Sequence, residues 1–437
     1  MTLYKTHLDS LCSIFTQALA RSEANSVLIY SGEQKYPFKD DNGQRFNINP
    51  YFKYWLPLTD QVKSFIFFEP GYKPHLFLFQ VSDYWHAQPK VPAGEWQEHF
   101  ELSIIADVND VKKSLSSKLA SCAFIGEEHE TALSIGINQL NPKRLLDYVN
   151  YQRAYKSDYE IHNMRIANEY AAKAHLAAKQ AFFAGASELE IHHAYLAAIN
   201  IRESQLPYNN IIALNENGAI LHYDHYQTTA PAQHKSFLID AGASYLGYHA
   251  DISRTYVSNN YKSHEFNDMY KAYQHQYSEL LSEIALGKSY LEFHDSSHQR
   301  IAHLLSEFGL VNCSAEDAYQ KGYSRVFFPC GVGHYIGLQV HDIGGYLAEE
   351  GDEELARDER YPFLRLNRPM EDRIVFTVEP GIYFIDMLLA QHQSNPDFNW
   401  QKINKLKVFG GFRMEDSIAL HNGKIENLSQ NAFDKLG

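Results

Sequence analysis

The chain has 437 residues, 45% hydrophobic and 21% charged, which is enough apolar material for two cores and more length than one core comfortably takes. A formal charge of −14 excludes the concentrated basic surface that nucleic-acid binding requires and leaves small molecules as the expected partners. The four cysteines, Cys12, Cys122, Cys313 and Cys330, are far apart with no C-x-x-C pair, and no stretch has the make-up of a signal peptide or the length of a membrane span, so a reduced, cytoplasmic protein is expected.

Residues 3–23 place Leu8, Leu11, Phe15, Ala18 and Leu19 at helical spacing, and Ser26–Tyr30 follows with strand character. Apolar runs at Ser64–Phe68, His75–Val81, Leu102–Ile105 and Ala123–Ile125 continue a mixed α/β texture without a catalytic motif. Tyr51, Tyr54, Trp55, Tyr84 and Trp85 are expected to pack in a core or interface. Near residue 155 the texture changes. Ser157 to Ala184 reads as a long Ala-rich helix ended by Gly185, and Ser187–Glu190 as a capping box that starts another. The expected boundary therefore divides the chain into 1–155 and 156–437.

Residues 208–223, YNNIIALNENGAILHY, predict a hairpin about Asn217-Gly218 with His222 at its far end. In FLIDAGASYLGYHADISRTY, residues 237–256, two β-rich segments each carry a carboxylate, Asp240 and Asp251, which a chain reversal would place side by side. Like charges at that range repel unless a cation lies between them. Helices are expected over 263–286 and 289–308, closed by Gly287 and Gly309, with His294 and His298 as helix-face filler. The stretch Phe327–Gly345, FFPCGVGHYIGLQVHDIGG, sets Cys330, His334 and His341 among glycines. Cys330 and His334, four apart, fit two zinc ligands, two polar turn residues, or a ligand beside a bystander. Glu349–Arg360 reads as a solvated loop.

In RIVFTVEPGIYFID, residues 373–386, Glu379 interrupts a strand that otherwise reads as buried, which is costly for an unpaired charge. LKVFGGFRMEDSIAL, residues 406–420, repeats the oddity, with Arg413 and Glu415 on one face and Asp416 on the other. Four carboxylates and an imidazole in apolar settings suit two divalent metals better than one, and oxygen-rich ligation favours Mn²⁺ over a thiolate zinc site, with Co²⁺ and Zn²⁺ as competitors.

IDAGASYLGYHADISRTY, GVGHYIGLQVHD, TVEPGIYF and GGFRMEDSIAL occur in an order and spacing similar to those of the pita-bread metallopeptidases. Among these the chain resembles the bacterial Xaa-Pro dipeptidases (prolidases), in particular the marine-bacterial ones also called organophosphorus acid anhydrolases. The resemblance implies an α+β fold, with a C-terminal pita-bread domain (creatinase/aminopeptidase-like) preceded by a smaller mixed α/β creatinase-like domain. It makes Asp240, Asp251, His334, Glu379 and Glu415 ligands of two metals, with Asp251 and Glu415 bridging. It assigns His222 and His341 to substrate contact and catalysis, Arg365 to the proline carboxylate, Tyr208 to the pocket wall, Glu379 to proton acceptance and Arg413 to orienting Glu415. The implied reaction is hydrolysis of Xaa-Pro dipeptides by a hydroxide bridging the metals, with organophosphorus esters and fluorides as side substrates and a homodimer as the assembly. The family usually has histidine at Cys330 and a Pro-Gly turn at Asp372-Arg373, so Cys330 becomes a replacement beside the ligands. The alternatives are an aminopeptidase on longer Xaa-Pro peptides, disfavoured by Arg365, and a non-catalytic binding protein of the same fold.

Overall fold

A computed structural model describes residues 1–437. The chain divides into two compact units: Met1–Arg153 with Ser157–Tyr159 and Leu347–Glu354, and Ala154–Lys156 with Glu160–Tyr346 and Leu355–Gly437. No helix is long and apolar enough to cross a membrane.

In the first unit the helix Leu3–Ala20 buries the stripe read from its spacing, Leu8, Leu11, Phe15, Ala18 and Leu19. A six-stranded mixed sheet has Ser26–Tyr30 near its centre, antiparallel to Phe65–Phe68 and parallel to Cys122–Ile125. His75–Phe79 and Glu101–Ile105 extend it on one side and Gln139–Leu140 on the other. All the strands' apolar residues cannot face solvent, and Leu28, Phe65, Phe77 and Phe124 pack with Val111 and Ile135 of two short helices. The expectation for the aromatics divides: Tyr54 and Trp55 are core residues, whereas Tyr84 and Trp85 are exposed and lie against each other at 4.6 Å.

The helix Asp158–Phe183, in the second unit from Glu160 onward, buries Ile161, Met164, Ala167, Ala171, Ala174 and Ala178 on one face. Its chain turns at Gly185, whose φ of 87° is the left-handed value that favours glycine. Ser187 and Glu190 then form the capping box of Glu188–Ile199. Further helices run over Glu265–Ser282 and Tyr290–Glu307. Three antiparallel sheets supply the scaffold. Ser236–Asp240 lies between Ile211–Leu214 and Ser253–Val257; Asp416–His421 lies between Ile374–Val378 and Lys424–Asn427; Gly381–Tyr383 pairs with Gly411–Arg413. A bridge between Ser253 and Glu415 joins the first sheet to the loop ahead of Asp416.

The hairpin expected about Asn217-Gly218 is not formed. Ile211–Leu214 pairs with Ser236–Asp240 instead, and Asn215–Ala219 is a short 3-10 helix. The cause is Glu188, fully buried at the start of its helix. Its Oε1 accepts from Leu214 N (2.8 Å) and Asn217 Nδ2 (2.9 Å), and its Oε2 from Tyr223 Oη (2.6 Å) and Gln227 N (2.7 Å). The amide that would have made the turn is committed to that carboxylate, which gathers residues 214–227 into a loop carrying His222.

Candidate active site

The strand Ser236–Asp240 ends on Asp240, the chain reverses, and Asp251 stands two residues before the next strand, which pairs Ser253 with Asp240. The two carboxylates meet as the reversal predicted: Tyr208 Oη donates to Asp251 Oδ1 and lies 2.8 Å from Asp240 Oδ1. One hydroxyl hydrogen cannot serve both. Burial and the neighbouring Asp251 push Asp240 above the usual carboxylate range, with Arg413 pulling the other way. Burial would also raise Asp251, but His334 and the Tyr208 hydroxyl outweigh it and hold that group low.

Residues 332–336 lie along Ile374–Val378, through Thr377 N to His334 O (2.8 Å) and Glu379 N to Val332 O (2.7 Å). Gly333 permits this approach, because a Cβ there would sit 2.0 Å from Thr377 O. His334 and Glu379 are thereby brought to the same point. His334 Nδ1 is 2.9 Å from the Tyr335 carbonyl, which only accepts, so in the neutral ring Nε2 keeps its lone pair. That Nε2 lies 3.6 Å from Asp251 Oδ2 and 3.5 Å from Glu379 Oε1. Although burial opposes it, the imidazole's pKa is raised by these two carboxylates.

Glu415 closes the group. Its Oε2 accepts from Ser253 Oγ at 2.8 Å, while its buried Oε1 has no hydrogen-bond partner. Burial, then Asp251 and Glu379, pushes its pKa well up, and burial raises that of Glu379 against the pull of His334 and Arg413. Ligand atoms of Asp251, His334 and Glu415 all lie within 4.8 Å of one another. Arg413 is the one guanidinium inside: Nη2 to Asp240 Oδ2 (2.6 Å), Nε to Ser253 Oγ (2.8 Å) and Nη1 to Tyr383 Oη (2.8 Å). An orphaned carboxylate oxygen, a free imidazole lone pair and more negative charge than one arginine balances are what a divalent cation would complete.

His341 lies edge-on to His334, ring centroids 4.5 Å apart. Burial of its inner face, then the charges of His334 and Arg365, hold its pKa down to about 4, with His222 adding a smaller push and Asp251 opposing, so the ring is neutral near pH 7. His222 and Arg365 are exposed. Cys330 is half-buried, and burial followed by the Glu379 charge pushes its thiol up to about 12.

Three elements of the site escaped the sequence reading. Ser253 shares the face of Asp251 two residues earlier, a period-two signal that could have exposed it. Lys156 Nζ and Asp342 Oδ2 form a buried ion pair at 3.0 Å beneath the His334–His341 segment. Arg254 Nη1 donates to the carbonyls of Ser253 (2.9 Å) and Glu415 (2.8 Å). No local pattern marks either of these last two.

Residues 2–151 match the family description "Xaa-Pro dipeptidase, N-terminal domain", and residues 162–422 match "Metallopeptidase family M24". The chain is 47% identical to Xaa-Pro dipeptidase 2 of Idiomarina loihiensis, covering 100% of both, and 41% identical to the Xaa-Pro dipeptidase of Pseudoalteromonas translucida, covering 98% of each. In fold it is similar to aminopeptidase PepP of Pseudomonas aeruginosa, with a TM-score of 0.76 at 21% identity over 97% of this chain and 95% of that one. Zn-substituted aminopeptidase P of Escherichia coli in complex with product gives 0.75 at 20% identity over 99% and 96%.

Proposed function

The chain belongs to metallopeptidase family M24, and from that membership we propose that it hydrolyses Xaa-Pro dipeptides using divalent ions held by Asp240, Asp251, His334, Glu379 and Glu415. Its fold is the one expected, a C-terminal pita-bread domain behind a creatinase-like N-terminal domain, with 1–155 and 156–437 as the proposed division. The observation that carries the reading is the approach of Asp251 and Glu379 to His334 Nε2 at 3.6 and 3.5 Å, with buried Glu415 grouped with Asp251 and His334 and its Oε1 left unpartnered. Full-length relatives named Xaa-Pro dipeptidases support the substrate class.

The donor set, four carboxylates and one imidazole, suits two ions and favours Mn²⁺, with Co²⁺ or Zn²⁺ as substitutes. Such ions supply Lewis acidity, making water a nucleophile near neutral pH and polarising the carbonyl before proline. The residues do the rest. Glu379, its pKa raised by burial, takes the proton of the attacking water. Neutral His341, together with His222, hydrogen-bonds the oxygen on which charge develops. Arg365 grips the proline carboxylate, for which a guanidinium fork is the matching donor, and so selects dipeptides over longer chains. Arg413 fixes Asp240 directly and Glu415 through Ser253. Tyr208, at the pocket wall, donates to Asp251 and stands 2.8 Å from Asp240 Oδ1. A cytoplasmic homodimer and side activity on organophosphorus esters and fluorides complete the proposal.

Protein loaded with Mn²⁺ is expected to cleave Leu-Pro and Ala-Pro, to act poorly on Gly-Pro-Ala beside Gly-Pro, and to lose activity on chelation. Absence of turnover with two metals verified per chain would overturn it.

A further inference from the structure

Arg365 is exposed and its guanidinium has no hydrogen-bond or ion-pair partner in the chain, yet the backbone that carries it is fixed. Tyr346 Oη donates to the carbonyl of Leu364, the residue before Arg365, at 2.7 Å. On the other side, Asn367 N and Arg368 N both reach Gly345 O, at 2.9 and 3.3 Å. Gly345 admits the segment closely, since a Cβ there would lie 2.5 Å from Arg365 O. The half-buried Tyr346 ring is itself covered by the Arg357 guanidinium, 3.9 Å from its centroid. Residues 364–368 are thus stitched to the segment that, five residues earlier, carries His341, the imidazole whose pKa the Arg365 charge depresses.

A free guanidinium on a locked backbone is preorganised for an anion: its side chain has no internal partner to give up, and the stitches have already restricted its starting points. We propose that Tyr346 is a positioning residue that aims Arg365 at the free carboxylate of the substrate, and so sets the preference for chains that end at proline. This rests on the dipeptidase reading above. The hydroxyl touches neither substrate nor reacting atoms; it acts through the Leu364 carbonyl.

The test compares the metal-loaded wild type with Tyr346→Phe, Gly345→Ala, Arg365→Ala and the Tyr346→Phe/Arg365→Ala double variant. The substrates are Leu-Pro and Leu-Pro amide, which differ only in the carboxylate. Tyr346→Phe is expected to raise KM for Leu-Pro roughly five- to tenfold, the loss of one hydrogen bond, with kcat nearly unchanged and no effect on the amide. Gly345→Ala should repeat that signature. Arg365→Ala should erase the difference between the two substrates, and the double variant should add nothing to it. Equal losses on both substrates, or additivity in the double variant, would overturn the proposal. If wild type turns over neither substrate, the dipeptidase reading fails by itself. Titration calorimetry with the same two compounds then decides the inference: tighter binding of Leu-Pro that Tyr346→Phe weakens upholds it, and equal affinities end it.

Discussion

Replacing Ser253 by alanine removes one hydroxyl from the centre of the acidic cluster while leaving every proposed metal ligand in place. Ser253 is fully buried, and its Oγ accepts from Arg413 Nε at 2.8 Å while donating to Glu415 Oε2 at 2.8 Å. Without it, a buried guanidinium N–H loses its acceptor and Glu415, whose Oε1 already lacks a partner, loses the only hydrogen bond to its carboxylate. Each unmet buried group costs about 1–3 kcal/mol, so the metal-free variant should be destabilised by roughly 2–6 kcal/mol, a large share of the ~5–15 kcal/mol that holds a typical domain. Arg413 keeps Tyr383 and Asp240, which points to the lower half of that range. With Glu415 no longer held, metal affinity should fall about 10- to 100-fold, the usual effect of deleting a residue that orients a ligand. Urea unfolding of the metal-free protein and competition against a chromophoric chelator measure the two effects separately. Ser253→Thr, which keeps the hydroxyl, should restore metal affinity. If Ser253→Ala matches wild type within ~0.5 kcal/mol and binds metal equally well, the relay from Arg413 to Glu415 does not organise the site.

Glu188→Gln offers one acceptor oxygen where four donors now converge and turns its own N–H groups toward them, so a loss of roughly 2–4 kcal/mol is expected in urea unfolding. Because these bonds hold the loop bearing His222, KM should rise as well, and the increase should vanish when His222→Ala is already present; additive effects would detach Glu188 from His222. A different dependence comes from His294 and His298, buried with their Nε2 atoms 3.2 Å apart. Burial pushes His294 down to about 3, and burial followed by the His294 charge pushes His298 well below its usual range. Since the unfolded rings take up protons near 6.5 and the folded ones do not, stability is present above that pH and is lost as pH falls toward 3, by about 1.4 kcal/mol per ring at pH 5.5. The double variant His294→Phe/His298→Phe should flatten the fall in urea midpoint between pH 6.5 and 5, and an unchanged slope would refute the assignment.

The acidic residues were legible because each stands alone where charge is expensive: Glu379 ends a buried strand, and Asp240 ends another whose other residues are all buried. Helix ends were legible for a similar local reason, since Gly185 and the Ser187–Glu190 box act within one turn. The hairpin failed because its local signal, Asn217-Gly218, competes with a partner 29 residues earlier in the chain. Lys156 and Asp342 are 186 residues apart and Ser253 and Glu415 are 162 apart. Such pairs leave no periodic trace, because a buried bond needs only one residue from each side and either alone reads as an ordinary polar position. Tyr84 and Trp85, expected in a core or interface, are exposed on this chain, because residue type alone does not fix burial.

Glu415 and Asp416 stand where two of the sheets join. They are adjacent, equally buried and chemically alike, yet the fold treats them in opposite ways. Asp416 is fully provided for: Arg254 Nη2 at 2.7 Å on one oxygen, Tyr277 Oη at 3.0 Å and Asn427 Nδ2 at 2.9 Å on the other. Glu415, on the opposite face, has a single hydroxyl on one oxygen and nothing on the other, and it faces Asp251 and His334 rather than a guanidinium. A chain that could not neutralise a buried acid would show the deficit at both positions. The deficit occurs only on the face where the other proposed ligands converge, while the acid behind it is satisfied by an arginine that also holds the Glu415 carbonyl in place. Arg254 therefore fixes Glu415 from behind, and the charge missing in front of Glu415 is what a bound cation would supply.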